Sequence, residues 1–201
     1  MHDISVKKLF FDETAPRWVR DAEQRSAHIA RILAKHDLPL TAPLLDVGSG
    51  AGILLPFILA NNDDSALITE FDISREMMQH ARALHGARSG VHYIQGDAHH
   101  LPFRDASYET VMCFSVYPHF QNPVAALTEI RRCLIPGGRL CIFHLMGHRE
   151  LNDMHRAAGK AVQGDVIPPA DALSLLLAKN DFTPYVVREL SDLYLIIARR
   201  S

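Results

Sequence analysis

The chain predicts an α/β fold, a three-layer sandwich with helices on both faces of a mostly parallel sheet. Three observations carry this expectation. Short apolar runs alternate with stretches of helical periodicity along most of the sequence, the pattern of strand–helix–strand units. One run, Leu44-Leu45-Asp46-Val47, passes into Gly48-Ser49-Gly50-Ala51-Gly52 and then into Ile53, Leu54, Leu55, Phe57, Ile58 and Leu59, which reads as a strand, a glycine turn and a helix. Finally, 201 residues at 48% hydrophobic and 22% charged suffice for one domain around a single core.

Composition narrows the partners. A net charge of −2 without long blocks of like charge leaves no footprint for nucleic acid. The most apolar run, Ile53 to Ala60, is broken by Pro56 and is too short to cross a bilayer, so no membrane partner is expected. Residues 1–15 carry Asp3, Lys7, Lys8, Asp12 and Glu13 and lack the apolar segment of a signal peptide. Cys113, Cys133 and Cys141 sit in apolar or helical contexts without C-x-x-C spacing. Core cysteines of this kind fit a reducing, cytoplasmic setting.

Taken in order, the chain opens with Phe10, Phe11 and Trp18, which could pack as an N-terminal arm. Val19 to Lys35 reads as a helix with Ile29, Ile32 and Leu33 inward, ending before Pro39. After the glycine turn and its helix, Asn61-Asn62-Asp63-Asp64 makes a turn, and Ala66 to Phe71 forms a second strand closing on Asp72. Ser74 caps a helix that buries Met77, Met78, Ala81 and Leu84. Val91 to Gln95 is a third strand, and Tyr108 to Phe114 a fourth, with Phe114, Ser115 and Val116 at its open end. A helix follows from Pro123 to Leu134, stopped by Pro136, Gly137 and Gly138 before a fifth strand, Leu140 to Leu145. Leu151 to Lys160 reads as a short helix, and Pro184 to Leu190 and Leu193 to Ala198 as two strands joined by Ser191-Asp192. The expected segments are an N-terminal helical part (1–42), a ligand-binding core (43–145), helices and a lid (146–183) and a terminal hairpin (184–201).

The turn itself selects a ligand class. Glycines there bend the chain and admit close backbone approach, and the helix N-terminus presents free N–H groups. A dinucleotide fingerprint wants G-x-G-x-x-G, but Ile53 stands where its third glycine would fall. Asp46 would repel a phosphate and suits a ligand with a positive end. Asp72, twenty residues past Gly52 at a strand end, is placed to accept both ribose hydroxyls of an adenosine, a feature that NAD sites share.

Asp46-x-Gly48-x-Gly50-x-Gly52 resembles motif I of the class I methyltransferases that use S-adenosylmethionine (SAM). Phe11-Asp12-Glu13-Thr14-Ala15-Pro16-Arg17-Trp18 is similar to the F-D-x-x-A-x-x-Y/W segment of the ubiquinone/menaquinone methylase group, which folds over the SAM pocket. Gly96-Asp97-Ala98-His99-His100-Leu101-Pro102-Phe103 looks like the G-D-A-x-x-L-P-F segment of that group, which NAD-binding domains do not usually carry. Arg132 to Leu140 matches its R-x-L-x-P-G-G-x-L segment. The resemblance covers residues 10–145 and implies a Rossmann-like fold of seven strands with the last antiparallel. It further implies SAM as cofactor, with S-adenosylhomocysteine as product. Asp46, Gly48, Ser49 and Gly50 would hold the methionine end, and Asp72, with Ile73 and Met77 beside it, the ribose. Asp97 and the Ala98 N–H would meet the adenine, with Phe114 and Ser115 at the end of the fourth strand.

Methyl transfer is an in-line displacement in which the protein aligns the groups, excludes water and removes a proton where the nucleophile carries one. Two candidate sets lie beyond the fourth and fifth strands. His119, in Tyr117-Pro118-His119-Phe120, could act as a general base. His144, His148, Asn152 and His155 could converge on a polar acceptor, with His144 and His155 as further catalytic candidates. Trp18 and Asp165 would help to bind the substrate, and Gly159 and Gly164 would let the intervening loop move as a lid. Two alternatives stay open: a metal-dependent methyltransferase using His144, His148 and His155, and a SAM-binding protein without catalysis. The acceptor is expected to be a small molecule, its identity and methylated atom undetermined. The oligomeric state is open, with terminal-strand pairing or helix packing as routes to a homodimer.

Overall fold

A computed structural model describes residues 4–20 and 22–201. Its seven strands form one sheet in the order β3-β2-β1-β4-β5-β7-β6. β1 (Leu44–Val47), β2 (Ile68–Asp72), β3 (Val91–Gln95), β4 (Tyr108–Phe114) and β5 (Leu134–His144) pair in parallel. β7 (Leu193–Arg200) runs antiparallel between β5 and β6 (Phe182–Leu190). The sheet is therefore the expected Rossmann-like one, with its last strand antiparallel.

The central strands β1, β2 and β4 are buried on both sides because helices cover both faces. Alternate residues of β4 serve opposite layers, as the pleat requires. Val111 and Cys113 join Leu127 and Ile130 of α5 (Pro123–Cys133) and Leu173 and Leu177 of α7 (Ala170–Lys179). Met112 and Phe114 join Ile29 and Ile32 of α2 (Ala22–Lys35) and Leu55 and Ile58 of α3 (Leu55–Ala60). Cys113, Cys133 and Cys141 are buried free thiols within these layers, in line with their reading as core residues. Among the described residues, no helix is long and apolar enough to cross a membrane.

Several boundaries differ from the sequence reading. The N-terminal segment is a helix, α1 (Ile4–Arg20), followed by α2, where one helix from Val19 was expected after an arm. Residues 51–54 form a turn, so α3 starts at Leu55, the residue preceding Pro56. β5 begins at Leu134 because Pro136, Gly137 and Gly138 are absorbed in a bulge: its pairing with β4 passes from Tyr108↔Leu134 to Thr110↔Arg139. α6 (His148–Ala157) starts just after Gly147, three residues earlier than Leu151. α4 (Arg75–His85) is capped by Ser74 as expected, its hydroxyl accepting from the Met77 N–H at 3.1 Å.

Candidate functional site

At the C-terminal ends of β1, β2 and β4 the sheet opens into a cleft of about 1150 Å³, its open mouth included. A drug-sized ligand fits such a space. Its floor is the glycine turn. Gly48 and Gly50 have φ of 70° and 57°, conformations that non-glycine residues adopt at a cost. The Gly48 N–H donates to the Phe71 carbonyl at 2.7 Å, and the Gly50 N–H to Asp72 Oδ2 at 2.9 Å. Asp72 Oδ1 accepts from the Ser74 N–H at 2.8 Å. One carboxylate thus ties the glycine turn to the start of α4.

Beneath the turn, Asp46, Glu70 and Asp72 form a buried acidic group. Asp46 and Glu70 are direct partners in the β1–β2 register. Burial raises all three carboxyls. Asp46 moves well above its usual range, with the charges of Glu70 and Asp72 adding to the effect. Glu70 rises to about 8 against a moderating contact with Ser49, and Asp72 to about 6 despite the N–H bonds from Ser74 and Gly50. Neither oxygen of Asp46 has a hydrogen-bond partner. Burial holds Asp46 and Glu70 toward their neutral forms; a cation bound above them would favour their ionised forms, as a phosphate would not.

One wall carries Ile73, Met77, Asp97 and Ala98, and another Phe114, Ser115 and His119. Ser115 has φ 54° and anchors its N–H on the Phe143 carbonyl at 3.0 Å. An irregular backbone at a strand end beside a cleft is where strain commonly serves function. Asp97 Oδ1 accepts from the His99 N–H at 3.0 Å and lies 2.5 Å from His99 Nδ1. Behind this loop, Arg132 donates to the Leu101 and Phe103 carbonyls, and Glu129 accepts from the Leu101 N–H. The roof is α1, which contributes Ile4, Lys7, Phe11 and Trp18.

The cleft thus gathers Trp18, Gly48, Ser49, Gly50, Asp72, Ile73, Met77, Asp97, Ala98, Phe114, Ser115 and His119 from the residues singled out in the sequence. Asp46 is not among its lining residues; β1 carries it below the turn, fully buried. The group beyond β5 divides: His144 and His155 sit behind His119, whereas His148 and Asn152 are engaged by Glu189 and Ile167. His144 packs edge-on against Tyr194 behind the cleft, and burial lowers its basicity to about 3. His148 pairs with Glu189 of β6, whose carboxylate also accepts from the His148 and Ala170 N–H groups at the starts of α6 and α7. Asn152 binds the Ile167 N–H and carbonyl at 2.9 and 3.0 Å. His155 is buried, donating from Nδ1 to the Asp165 carbonyl at 2.9 Å.

Asp165 does not line the cleft but binds two residues that do. Its Oδ2 lies 2.6 Å from His119 Nδ1 and its Oδ1 2.6 Å from Lys7 Nζ. The loop expected as a lid is accordingly held by Asn152, His155, Lys7 and His119, and by the Tyr194 hydroxyl on the Pro168 carbonyl. Among the described residues, no group of three His, Cys, Asp or Glu side chains is arranged to hold a metal ion, so the geometry lends no support to a His144, His148 and His155 centre.

Sequence reasoning missed Lys7, Arg25, His99 and Phe120 in the cleft wall. His99 and Phe120 each adjoin a motif position and could have been found by asking what fixes it. Lys7 and Arg25 carry no local signal, because helix packing alone brings them there.

Residues 45–142 match the family model described as "Methyltransferase domain". An O-methyltransferase of Penicillium expansum, cnsE, is 32% identical over 156 residues, covering 74% of this chain and 55% of that protein. The malonyl-[acyl-carrier protein] O-methyltransferase of Geobacter sulfurreducens is 36% identical over 120 residues, covering 58% of this chain and 44% of that one. The chain spans about half the length of these curated relatives. A SAM-dependent methyltransferase structure from Thermotoga maritima superposes with a TM-score of 0.71 at 19% identity, covering 98% of this chain and 99% of that one, which shows the shared fold. Residues 45–142 thus match a methyltransferase domain, and the chain is similar in sequence to O-methyltransferases and in fold to a SAM-dependent methyltransferase.

Proposed function

We propose that the cleft binds S-adenosylmethionine and that the protein transfers its methyl group to a small molecule. The carrying observation is the acidic group beneath a glycine turn that opens onto the cleft. A Cβ at Gly50 would meet nothing nearer than Met77 Sδ at 3.9 Å, so the turn leaves space for a ligand against its backbone. A ligand with ammonium and sulfonium charges answers Asp46, Glu70 and Asp72 as a pyrophosphate does not. The residues present therefore fit the cofactor.

In this reading Gly48, Ser49 and Gly50 hold the methionine end, and the positive charge of that end draws the buried Asp46 carboxyl toward its ionised form from below. Asp72 takes the ribose hydroxyls, and Asp97 with the Ala98 N–H the adenine, flanked by Ile73 and Met77. The cofactor supplies a methyl group already activated on a sulfonium centre. The chain's work is then alignment, exclusion of water by α1 and, where needed, proton removal. The acceptor lies beside Trp18, Phe11, Phe114, Ser115 and His119.

A panel of phenols, alcohols, amines, thiols and carboxylates, incubated with protein and SAM, tests the reading by mass-spectrometric detection of S-adenosylhomocysteine and methylated product. Methylation of at least one class is expected. Failure to bind SAM overturns the reading.

A further inference from the structure

We infer that His119 is the general base of the transfer, held in its proton-accepting tautomer by Asp165 and Lys7, and that the acceptor presents an O–H or N–H nucleophile. The inference rests on the reading of the cleft as a methyltransferase site.

The tautomer follows from the contacts. Asp165 Oδ2 stands 2.6 Å from His119 Nδ1, and a carboxylate can only accept, so Nδ1 carries the proton. Burial raises the Asp165 carboxyl, but the hydrogen bonds from His119 and Lys7 outweigh it and leave the group below its ordinary range, hence ionised. The neutral ring then has its free lone pair on Nε2, and this ring lines the cleft. Phe11 meets it edge-on at 5.0 Å between ring centroids, fixing its plane.

Lys7 completes the arrangement. Its ammonium donates to Asp165 Oδ1 and, at 3.0 Å, to the His119 carbonyl, so it holds both members of the pair from the helix that roofs the cleft. The remaining titratable neighbours are His155, with ring centroids 4.9 Å from His119, and His144. Burial holds both toward the neutral form, so neither opposes a proton arriving on His119. Carboxylate, oriented imidazole and an open nitrogen are the parts of a base dyad.

Atoms and charge balance as follows. The acceptor's lone pair forms the new bond to the methyl carbon, the carbon–sulfur bond breaks with its pair left on sulfur, and the acceptor proton passes to His119 Nε2. Asp165 stabilises the imidazolium without taking the proton, and water later removes it. His119 is the catalytic residue; Asp165 and Lys7 position it. An acceptor attacking through a thioether or tertiary amine would leave this apparatus without a task.

The test is nitrogen NMR of histidine-labelled protein with S-adenosylhomocysteine bound, at neutral pH, with His119→Asn identifying the signal. A neutral ring protonated at Nδ1 is expected. A ring protonated at Nε2, or an imidazolium, overturns the inference while leaving the cofactor reading intact. On the acceptor panel, His119→Asn should lower kcat by about a hundredfold or more with SAM affinity unchanged. Asp165→Asn should lower kcat more than KM, and Lys7→Met should share that split. Wild-type turnover in His119→Asn overturns the inference, as does selective methylation of an acceptor whose nucleophile carries no proton. Loss of SAM binding by the wild-type protein would instead remove the methyltransferase reading itself.

Discussion

Asp12 on α1 accepts a 2.6 Å hydrogen bond from the Ser74 hydroxyl, although 62 positions separate them. The same oxygen accepts from the Glu76 N–H at 3.2 Å, so Asp12 serves as a second cap for α4. Because Ser74 also donates its own N–H to Asp72, the roof and the carboxylate proposed to take the ribose share one anchor. Asp12→Ala should cost about 1 kcal/mol of stability, the usual value of a lost cap, and weaken SAM binding several-fold. Burial raises this carboxyl, but the bonds from Ser74, Glu76 and Lys8 bring it below its ordinary value. Its contribution is therefore full above the unfolded value near pH 4 and is lost as pH falls through the folded value. Urea unfolding of wild type and variant at neutral and acidic pH checks both points, with the difference shrinking in acid.

Asp72 carries the opposite sign. Raised by burial to about 6, it holds a proton in the empty fold that the unfolded chain gives up near pH 4, so its effect on stability declines as pH rises through that window. Ribose hydroxyls bond more strongly to an ionised carboxylate, which accepts on both oxygens, than to a protonated carboxyl. SAM affinity should therefore rise with pH up to about 6 and then level, with proton release on binding below that point. Calorimetry in buffers of different ionisation enthalpy measures the release, and Asp72→Asn should abolish this component.

Two glycines of the turn should fail differently. A Cβ at Gly48 would lie 2.2 Å from Val116 Cγ2 and 2.5 Å from its Cβ, which no rotation of that side chain relieves. Gly48→Ala should lose about 1–2 kcal/mol for the left-handed backbone and more for overpacking, seen as a clear fall in Tm. Gly50→Ala suffers only the backbone term, since its Cβ enters open space beside Met77. It should keep most of its stability and lose SAM affinity.

Asn152 was expected to bind substrate, yet both ends of its amide clasp Ile167. Asn152→Ala should cost about 1–3 kcal/mol, because it leaves buried backbone groups unpaired. It should also raise hydrogen exchange across residues 158–169, with SAM affinity held. A specific loss of acceptor affinity without destabilisation would contradict this.

The motifs of residues 44–103 were legible because each is local. Asp46, the glycines, Asp72 and Asp97 stand at strand ends, and strand order alone brings those ends to one cleft. The boundaries of α1 and β5 were less so. Phe10, Phe11 and Trp18 read as an arm without showing the helix, and Pro136 with two glycines reads as a turn although the sheet absorbs it as a bulge. Beyond β5, histidines close in sequence suggested one site, but Glu189 draws His148 away, and His144 and His155 lie behind His119, covered by Tyr194 and bonded to the Asp165 carbonyl respectively. The pairing of Asp165 with His119 spans 46 residues and was invisible to spacing.

Calorimetric titration of SAM into wild type and Asp72→Asn, with NAD as control and melting curves to verify folding, tests the central claim most directly. Micromolar SAM binding by the wild type, an affinity about tenfold or more weaker in the variant and no response to NAD are expected. Equal SAM affinity in the two folded proteins, or no binding by the wild type, would contradict the assignment of the cleft.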